Sequence, residues 1–447
     1  MLKSIRSRLS RVTSSSFVRN VGVLVGGTAF AQALTILILP FLTRLYSPDD
    51  FAVLAVYASI LGIFSGIACL RLEIAIPIPE SDEEAANLLV LALTISSTIA
   101  ALLGLVVWAY PAHLVELIGQ PALAPYLWLL PIGVWLSGAY AALQYWSTRH
   151  KQFRLISSTR LTQATGSAAV QLSFGWAGFT PFGLLLGQLI NSGAGVIRLG
   201  ADTWRQHRKV LARVRLGTML STLGRYDRFP KYSTLEALAN GGNLQLPVLI
   251  IAALAAGPEA GFLILATRVM AAPMALIGGA ISQVYLSRAP EERRQGRLST
   301  FTFSILSGLF IGIIAPVAFP LAFGAEWARA GEIVRWMTPW FVFQFLASPL
   351  SMILHITENQ KTALFLQLGG LLLRVGSVLL AAHTTPEHIV EAYAISGLIF
   401  YLAYFFIVLR IAKISLKPQN LLSTSSIGAL IAWSAIAYAG IYAFQPA

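Results

Sequence analysis

The sequence predicts an all-α polytopic membrane protein: two six-helix lobes forming a parallel repeat around a central cavity, with a thirteenth helix beyond them. Composition is the first reason. Of the 447 residues, 56% are hydrophobic and 11% charged, whereas soluble domains carry about 25% charged residues. Such a balance cannot coat a water-soluble globule. The apolar runs are the second reason. They recur from Val18 to Phe444, and about 20 apolar residues carry a helix across a hydrocarbon core of about 30 Å, where every backbone amide must find its partner within the protein. The distribution of cations is the third, and it also sets direction.

The first span, 18–43, follows the basic residues Lys3, Arg6, Arg8 and Arg11. It exceeds a signal h-region and has no clear small-residue cleavage site, so it is expected as an uncleaved helix. The other spans of the first lobe are 51–70, 85–109, 124–146, 157–177 and 180–200. A basic loop from about Gly200 to Lys231 follows, too short for a catalytic domain. The second lobe is read as 232–255, 259–287, 299–323, 331–356, 362–382 and 388–410, and 424–444 is the extra helix. Gly22, Gly26, Gly27, Gly241 and Gly242, with Pro40 and Pro247, make spans one and seven candidates either for movement or for close static packing.

With a cytoplasmic N-terminus, 26 of the 32 Lys and Arg fall on one side, and the other side holds only Arg44 and Arg329. This is the positive-inside pattern, so the net charge of +13 orients the chain and implies no nucleic-acid partner. Trp108, Tyr110, Trp128, Trp204, Trp327, Trp336 and Trp340 sit near span ends and are expected mainly as interfacial belts. The single cysteine, Cys69, leaves no disulfide framework, and the six histidines are too scattered for a metal site. No Walker sequence or nucleophile elbow is present, so neither an ATP-driven pump nor a hydrolase is supported, and no enzyme activity is expected.

Two pairs of segments match at nearly one offset. Ser47-Pro48-Asp49-Asp50-Phe51 resembles Gly257-Pro258-Glu259-Ala260-Gly261-Phe262, and Thr148-Arg149-His150-Lys151-Gln152 resembles Thr357-Glu358-Asn359-Gln360-Lys361. Both join spans of like rank, as a duplicated bundle would. The expected organisation is an N-terminal lobe at 1–200, a basic cytoplasmic linker at 201–231, a C-terminal lobe at 232–412 and the extra helix at 413–447.

Several stretches resemble the Wzx-type oligosaccharide flippases of the multidrug, oligosaccharidyl-lipid and polysaccharide exporter (MOP) superfamily. They are Pro40-Phe41-Leu42-Thr43-Arg44-Leu45-Tyr46-Ser47-Pro48, Arg71-Leu72-Glu73-Ile74-Ala75-Ile76-Pro77, Phe229-Pro230-Lys231-Tyr232, Thr267-Arg268-Val269-Met270-Ala271-Ala272-Pro273, Phe323-Gly324-Ala325-Glu326-Trp327 and Ser348-Pro349-Leu350-Ser351. The resemblance implies a multi-pass protein of a bacterial inner membrane. It would move undecaprenyl-diphosphate-linked oligosaccharide units from the cytoplasmic to the periplasmic leaflet by alternating access, for surface polysaccharide synthesis. Its expected partners are that lipid-linked substrate, the bilayer and a polysaccharide polymerase. The alternatives are an ion-coupled multidrug exporter and a lipid-linked peptidoglycan precursor flippase of the same superfamily.

Such a substrate needs a wet cavity for its hydroxyls and cations for its diphosphate, and the planar fork of arginine suits phosphate. Arg268 and Arg374 lie mid-span, where a charge costs about 2.5–3.5 kcal/mol on insertion scales. With Arg44 they are the candidate substrate-binding cations; the alternative for Arg268 and Arg374 is that they cap carbonyls or pair with a carboxylate to lock helices, and for Arg44 that it pairs with Asp49 or Asp50 to close the turn. Arg71, Arg160, Arg335, Gln32 and Gln245 are secondary candidates. Arg71 is otherwise a partner for Glu73, and Arg160 and Arg335 could snorkel. No cofactor or metal is expected. Glu236 is read first as a carboxylate favoured at a helix start, the sharper alternative being that a proton or sodium gradient couples through Glu73 or Glu236.

Overall fold

The computed structural model describes residues 16–255, 257–271, 314–356 and 360–411. Every regular element among them is helical. The helices run over Ser16–Leu37, Leu39–Leu45, Pro48–Ser65, Asp82–Ala109, Leu129–Arg149, Phe153–Trp176, Phe182–Gly193, Gly195–Leu211, Thr234–Leu254, Ala328–Ile356, Gln360–Thr384 and Ile389–Ile411, with shorter ones between. The eighth and ninth spans are described over 259–271 and Ile314–Phe323. Seven helical segments among the described residues are long and apolar enough to cross a membrane. The chain is therefore an all-helical, multi-pass membrane protein. The thirteenth helix and all of 413–447 lie outside the described residues, as does the basic run from Arg288 to Arg297.

Local chemistry explains where helices start and break. The first span is interrupted at Ile38, two residues before Pro40, which cannot donate to the helical ladder. Ser81 caps the Asp82–Ala109 helix by accepting from the Glu84 amide, and Asp82, Glu83 and Glu84 fill the first turn, where carboxylates complement the helix dipole.

The chain divides into two compact units. One comprises Met1–Ile38 and Tyr57–Gly241, the other Leu39–Val56 and Gly242–Ala447. In the first, Cys69, Leu72, Ile76, Leu89, Trp146 and Met219 share a buried core. Small residues bring its helices together, as expected where lipid supplies no hydrophobic drive between them. Gly138 lies against Ser96 and Ala68, and a side chain there would collide with both. In the second unit, the Ala328–Ile356 and Ile389–Ile411 helices pack along their lengths, with Gly397 under the Trp340 ring.

Three expectations need correction. The second span ends at Ser65, short of residue 70, because Leu70 and Arg71 both adopt left-handed backbone and turn the chain into the short 3-10 helix Leu72–Ala75. The basic segment after Gly200 is not a loop. It continues as Gly195–Leu211 and Leu216–Arg225, because Leu199, Thr203, Met219 and Thr222 recur at helical spacing and bury one face of each helix. Trp327 and Trp340 are not belt residues but are buried, whereas Trp108, Trp128 and Trp204 are exposed.

Candidate functional site

At the basic end of the first unit, two of the family-like motifs meet: Leu72–Ala75 packs on the π-helical turn Phe229–Ser233. Glu73 is buried here. Its Oε1 lies 3.6 Å from Arg71 Nη1, and its Oε2 has no hydrogen-bond partner among the described residues. Burial raises the Glu73 carboxyl above the usual carboxylate range, against the opposing pull of its own backbone amide and of Arg71. Such a group can take up a proton. Arg71 is held with φ 62°, an uncommon backbone for a side chain of its size.

Beside this motif, three arginines share out the acidic helix start. Arg149 pairs with Asp82 at 3.0 Å, Arg213 with Glu83 at 2.8 Å and Arg225 with Glu84 at 3.0 Å. Arg149 also donates to the carbonyls of Pro77, Pro79 and Glu80, closing the turn after the motif. In the sequence Arg213 and Arg225 stand only as orienting charge, and Arg149 also as part of the repeated helix end. Their partners are about 65 to 140 residues away in the chain, beyond any local spacing rule.

Arg160 does not reach out to an interface. Its Nη1 donates to Thr28 Oγ1 at 3.1 Å and its Nη2 to Gln144 Oε1 at 3.4 Å, joining three helices of the first unit. Gln32, one turn beyond Thr28, is exposed, as is Glu236 near the start of Thr234–Leu254.

The second unit holds Arg44, Arg268, Arg335, Gln245 and Arg374. Arg374 has 0% exposure. Its guanidinium carbon stands 4.4 Å from the Trp340 ring centre, and Tyr393, Phe400 and Tyr401 lie within 5.6 Å. Among the described residues none of its side-chain nitrogens has a hydrogen-bond partner of good geometry, and ring quadrupoles surround the cation. Arg268 is half-buried on 259–271 and Gln245 is half-buried, while Arg44 and Arg335 are exposed. Arg44 Nη1 donates to the Pro40 carbonyl one turn back at 3.2 Å.

Two features of this unit were not read as sites. Asn243 donates to Gln367 at 3.1 Å. Arg329 binds Glu259 at 3.0 Å, Glu332 at 3.0 Å and Glu391 at 2.8 Å. Glu259 falls in the repeated turn, the one signal that could have pointed there. Among the described residues no group of three or more His, Cys, Asp or Glu could hold a metal ion.

Residues 41–298, more than half of the chain, match the family described as polysaccharide biosynthesis protein. The chain belongs to this family. The polysaccharide biosynthesis match contains Arg44, Arg71, Glu73, Arg160, Glu236, Gln245 and Arg268, while Gln32, Arg335 and Arg374 lie outside it. The fold is like that of solved flippases and transporters. It resembles the lipid II flippase MurJ in an inward closed conformation, with a TM-score of 0.75, 16% identity, and coverage of 95% of this chain and 93% of that one. It also resembles an inward-facing multidrug resistance MATE family transporter of the MOP superfamily, with a TM-score of 0.55, 14% identity, and coverage of 87% and 100%. For the eukaryotic MATE transporter AtDTX14 the values are 0.55, 15%, 94% and 100%. At these identities the likeness is one of fold. No curated protein matches the sequence.

Proposed function

We propose that this polysaccharide biosynthesis protein is a flippase for undecaprenyl-diphosphate-linked oligosaccharide units, carrying them from the cytoplasmic to the periplasmic leaflet of a bacterial inner membrane by alternating access. The observation that carries the reading is the pairing of a polysaccharide family with a fold shared, over 95% of the chain, with a lipid-linked precursor flippase. A lipid-linked sugar has the right chemistry for this chain. Its many hydroxyls and its diphosphate cross a bilayer unaided only at great cost, and arginines held within the helices offer the counter-charge.

In this reading Arg268 and Arg44 meet the diphosphate or anionic sugars. Arg374, enclosed by its rings, fixes positive potential in the same unit from behind an aromatic wall. The N-terminus is cytoplasmic, a polysaccharide polymerase is the downstream partner, and nucleic acid has no part. Coupling to protons or sodium runs through Glu73, the buried carboxyl, with Glu236 as the exposed alternative.

The second reading is a flippase for a lipid-linked peptidoglycan precursor, favoured by the TM-score of 0.75 with MurJ. A multidrug exporter is less favoured, its structural likeness standing at 0.55. The test is movement of labelled undecaprenyl-diphosphate oligosaccharide and, separately, of labelled lipid II into the protected leaflet of proteoliposomes, with imposed proton or sodium gradients. Protein-dependent movement of the oligosaccharide lipid alone supports the first reading, and of lipid II alone the second. Movement of neither by folded protein would sink both.

A further inference from the structure

The helix Gly195–Leu211 carries an ordered stripe on its outward face. Ile197 is 81% exposed, Trp204 is 63% exposed, and Arg208 follows one turn later, also exposed. At a rise of about 1.5 Å per residue, Trp204 lies about 10 Å beyond Ile197 along the axis, and Arg208 about 6 Å further. That order of aliphatic, indole and guanidinium is the order of acyl chain, interface and phosphate met on leaving a bilayer. Arg205 and Lys209 flank Arg208, and all three are exposed and enter no ion pair among the described residues.

The next helix, Leu216–Arg225, extends this surface. It turns Met219 and Thr222 inward, leaving Leu216 73% and Leu220 60% exposed beside them. The protein covers only part of its apolar arc. Arg213 and Arg225 are already paired, with Glu83 and Glu84. Their role is to fix both helices to the start of Asp82–Ala109.

We propose that the outward faces of Gly195–Leu211 and Leu216–Arg225 form a docking surface for the headgroups of anionic phospholipid. Leu216, Leu220 and Trp204 enter the headgroup–acyl boundary, and Arg205, Arg208 and Lys209 bind the phosphates. Exposed leucines argue for a lipid surface over free phosphate, because they gain only if acyl chains accompany the anion.

Thermal melting of the purified full-length protein in neutral detergent, with phosphatidylglycerol or phosphatidylcholine added, tests this. Phosphatidylglycerol should raise the melting temperature, phosphatidylcholine should not, and added salt should shrink the effect. The triple variant Arg205→Gln, Arg208→Gln, Lys209→Gln should melt like wild type without lipid and bind phosphatidylglycerol at least about tenfold more weakly. Leu216→Ser with Leu220→Ser should weaken it too. A wild-type phosphatidylglycerol response in the triple variant would overturn the proposal. So would inorganic pyrophosphate reproducing the whole shift, which would make free phosphate the ligand. Should the triple variant fail to fold, the Arg205→Lys, Arg208→Lys pair must keep the response, and a salt-insensitive response in wild type would overturn the proposal by itself. None of these readouts depends on which substrate is carried.

Discussion

Gly261 rests so closely on the backbone of Pro48 that a Cβ added to it would run into the Pro48 carbonyl oxygen and the Ala52 amide. The two residues belong to the turns that look like copies of one another in the sequence, and within the second unit these turns meet. Trp327 seals the junction: its Nε1 donates to the Thr43 carbonyl at 3.1 Å, and its ring meets Phe51 edge-on at 4.8 Å. The obstruction at Gly261 is backbone, so no rotamer change relieves it. Gly261→Ala should destabilise the protein, and Gly261→Val should cost about 1–3 kcal/mol or more. A melting temperature for Gly261→Val equal to wild type would mean that the turns do not meet in the folded protein.

Arg374 makes a different kind of contact. A buried cation with no well-formed hydrogen bond among the described residues persists only if something else offsets its desolvation, and four aromatic rings surround it. Trp340→Ala removes the nearest ring and leaves both a cavity and a poorly compensated charge, an expected loss of about 3–5 kcal/mol. Trp340→Phe should cost much less. Arg374→Met, which removes the charge and keeps the rings, should be milder than Trp340→Ala. If Arg374→Met is the most damaging of the three in a melting assay, the cage is not what holds this residue.

Residue pattern accounts for the spans well and for the site poorly, and the physics differs between the two. A span needs only a run of side chains that lipid tolerates, and the run is local. The Asp82–Ala109 helix was therefore visible to within a few residues of its start. The Arg374 cage draws on Trp340, Tyr393, Phe400 and Tyr401 from two other helices, and nothing in the local pattern separates a caged tryptophan from a belt tryptophan. Trp340 was misplaced for that reason. The turn at Leu70 and Arg71 was missed because left-handed backbone at residues other than glycine has no compositional signal. Arg71 and Glu73, two apart in sequence, form the ion pair that local spacing did point to.

Arg160 ties Phe153–Trp176 to the first helix through Thr28 and to Leu129–Arg149 through Gln144. The Arg160→Met, Thr28→Val double-mutant cycle should return a coupling of about 0.5–1.5 kcal/mol, the range for hydrogen bonds between membrane helices. Gln144→Leu in the same cycle should couple less, since its contact is the longer at 3.4 Å. Additive losses for Arg160 and Thr28 would mean that the bond is absent.

Glu73 makes stability depend on pH in a direction opposite to that of a salt-bridged carboxylate. Burial raises its affinity for the proton in the folded protein, and Arg71 and its own backbone amide only partly counter this. Below the ordinary carboxylate value, about pH 4, folded and unfolded chains both hold the proton and Glu73 contributes no slope. As pH rises past that value, the unfolded chain releases its proton first, so the folded state is progressively penalised until its own raised value is reached. Glu73→Gln removes this slope while keeping side-chain size. The melting temperature of wild type minus that of Glu73→Gln should therefore fall as pH climbs from about 4 towards neutrality. Arg71→Gln, by withdrawing the one nearby cation, should make the fall steeper. A difference that grows with pH would mean that pairing with Arg71 outweighs burial, and Glu73 would then be a fixed anion instead of a proton carrier.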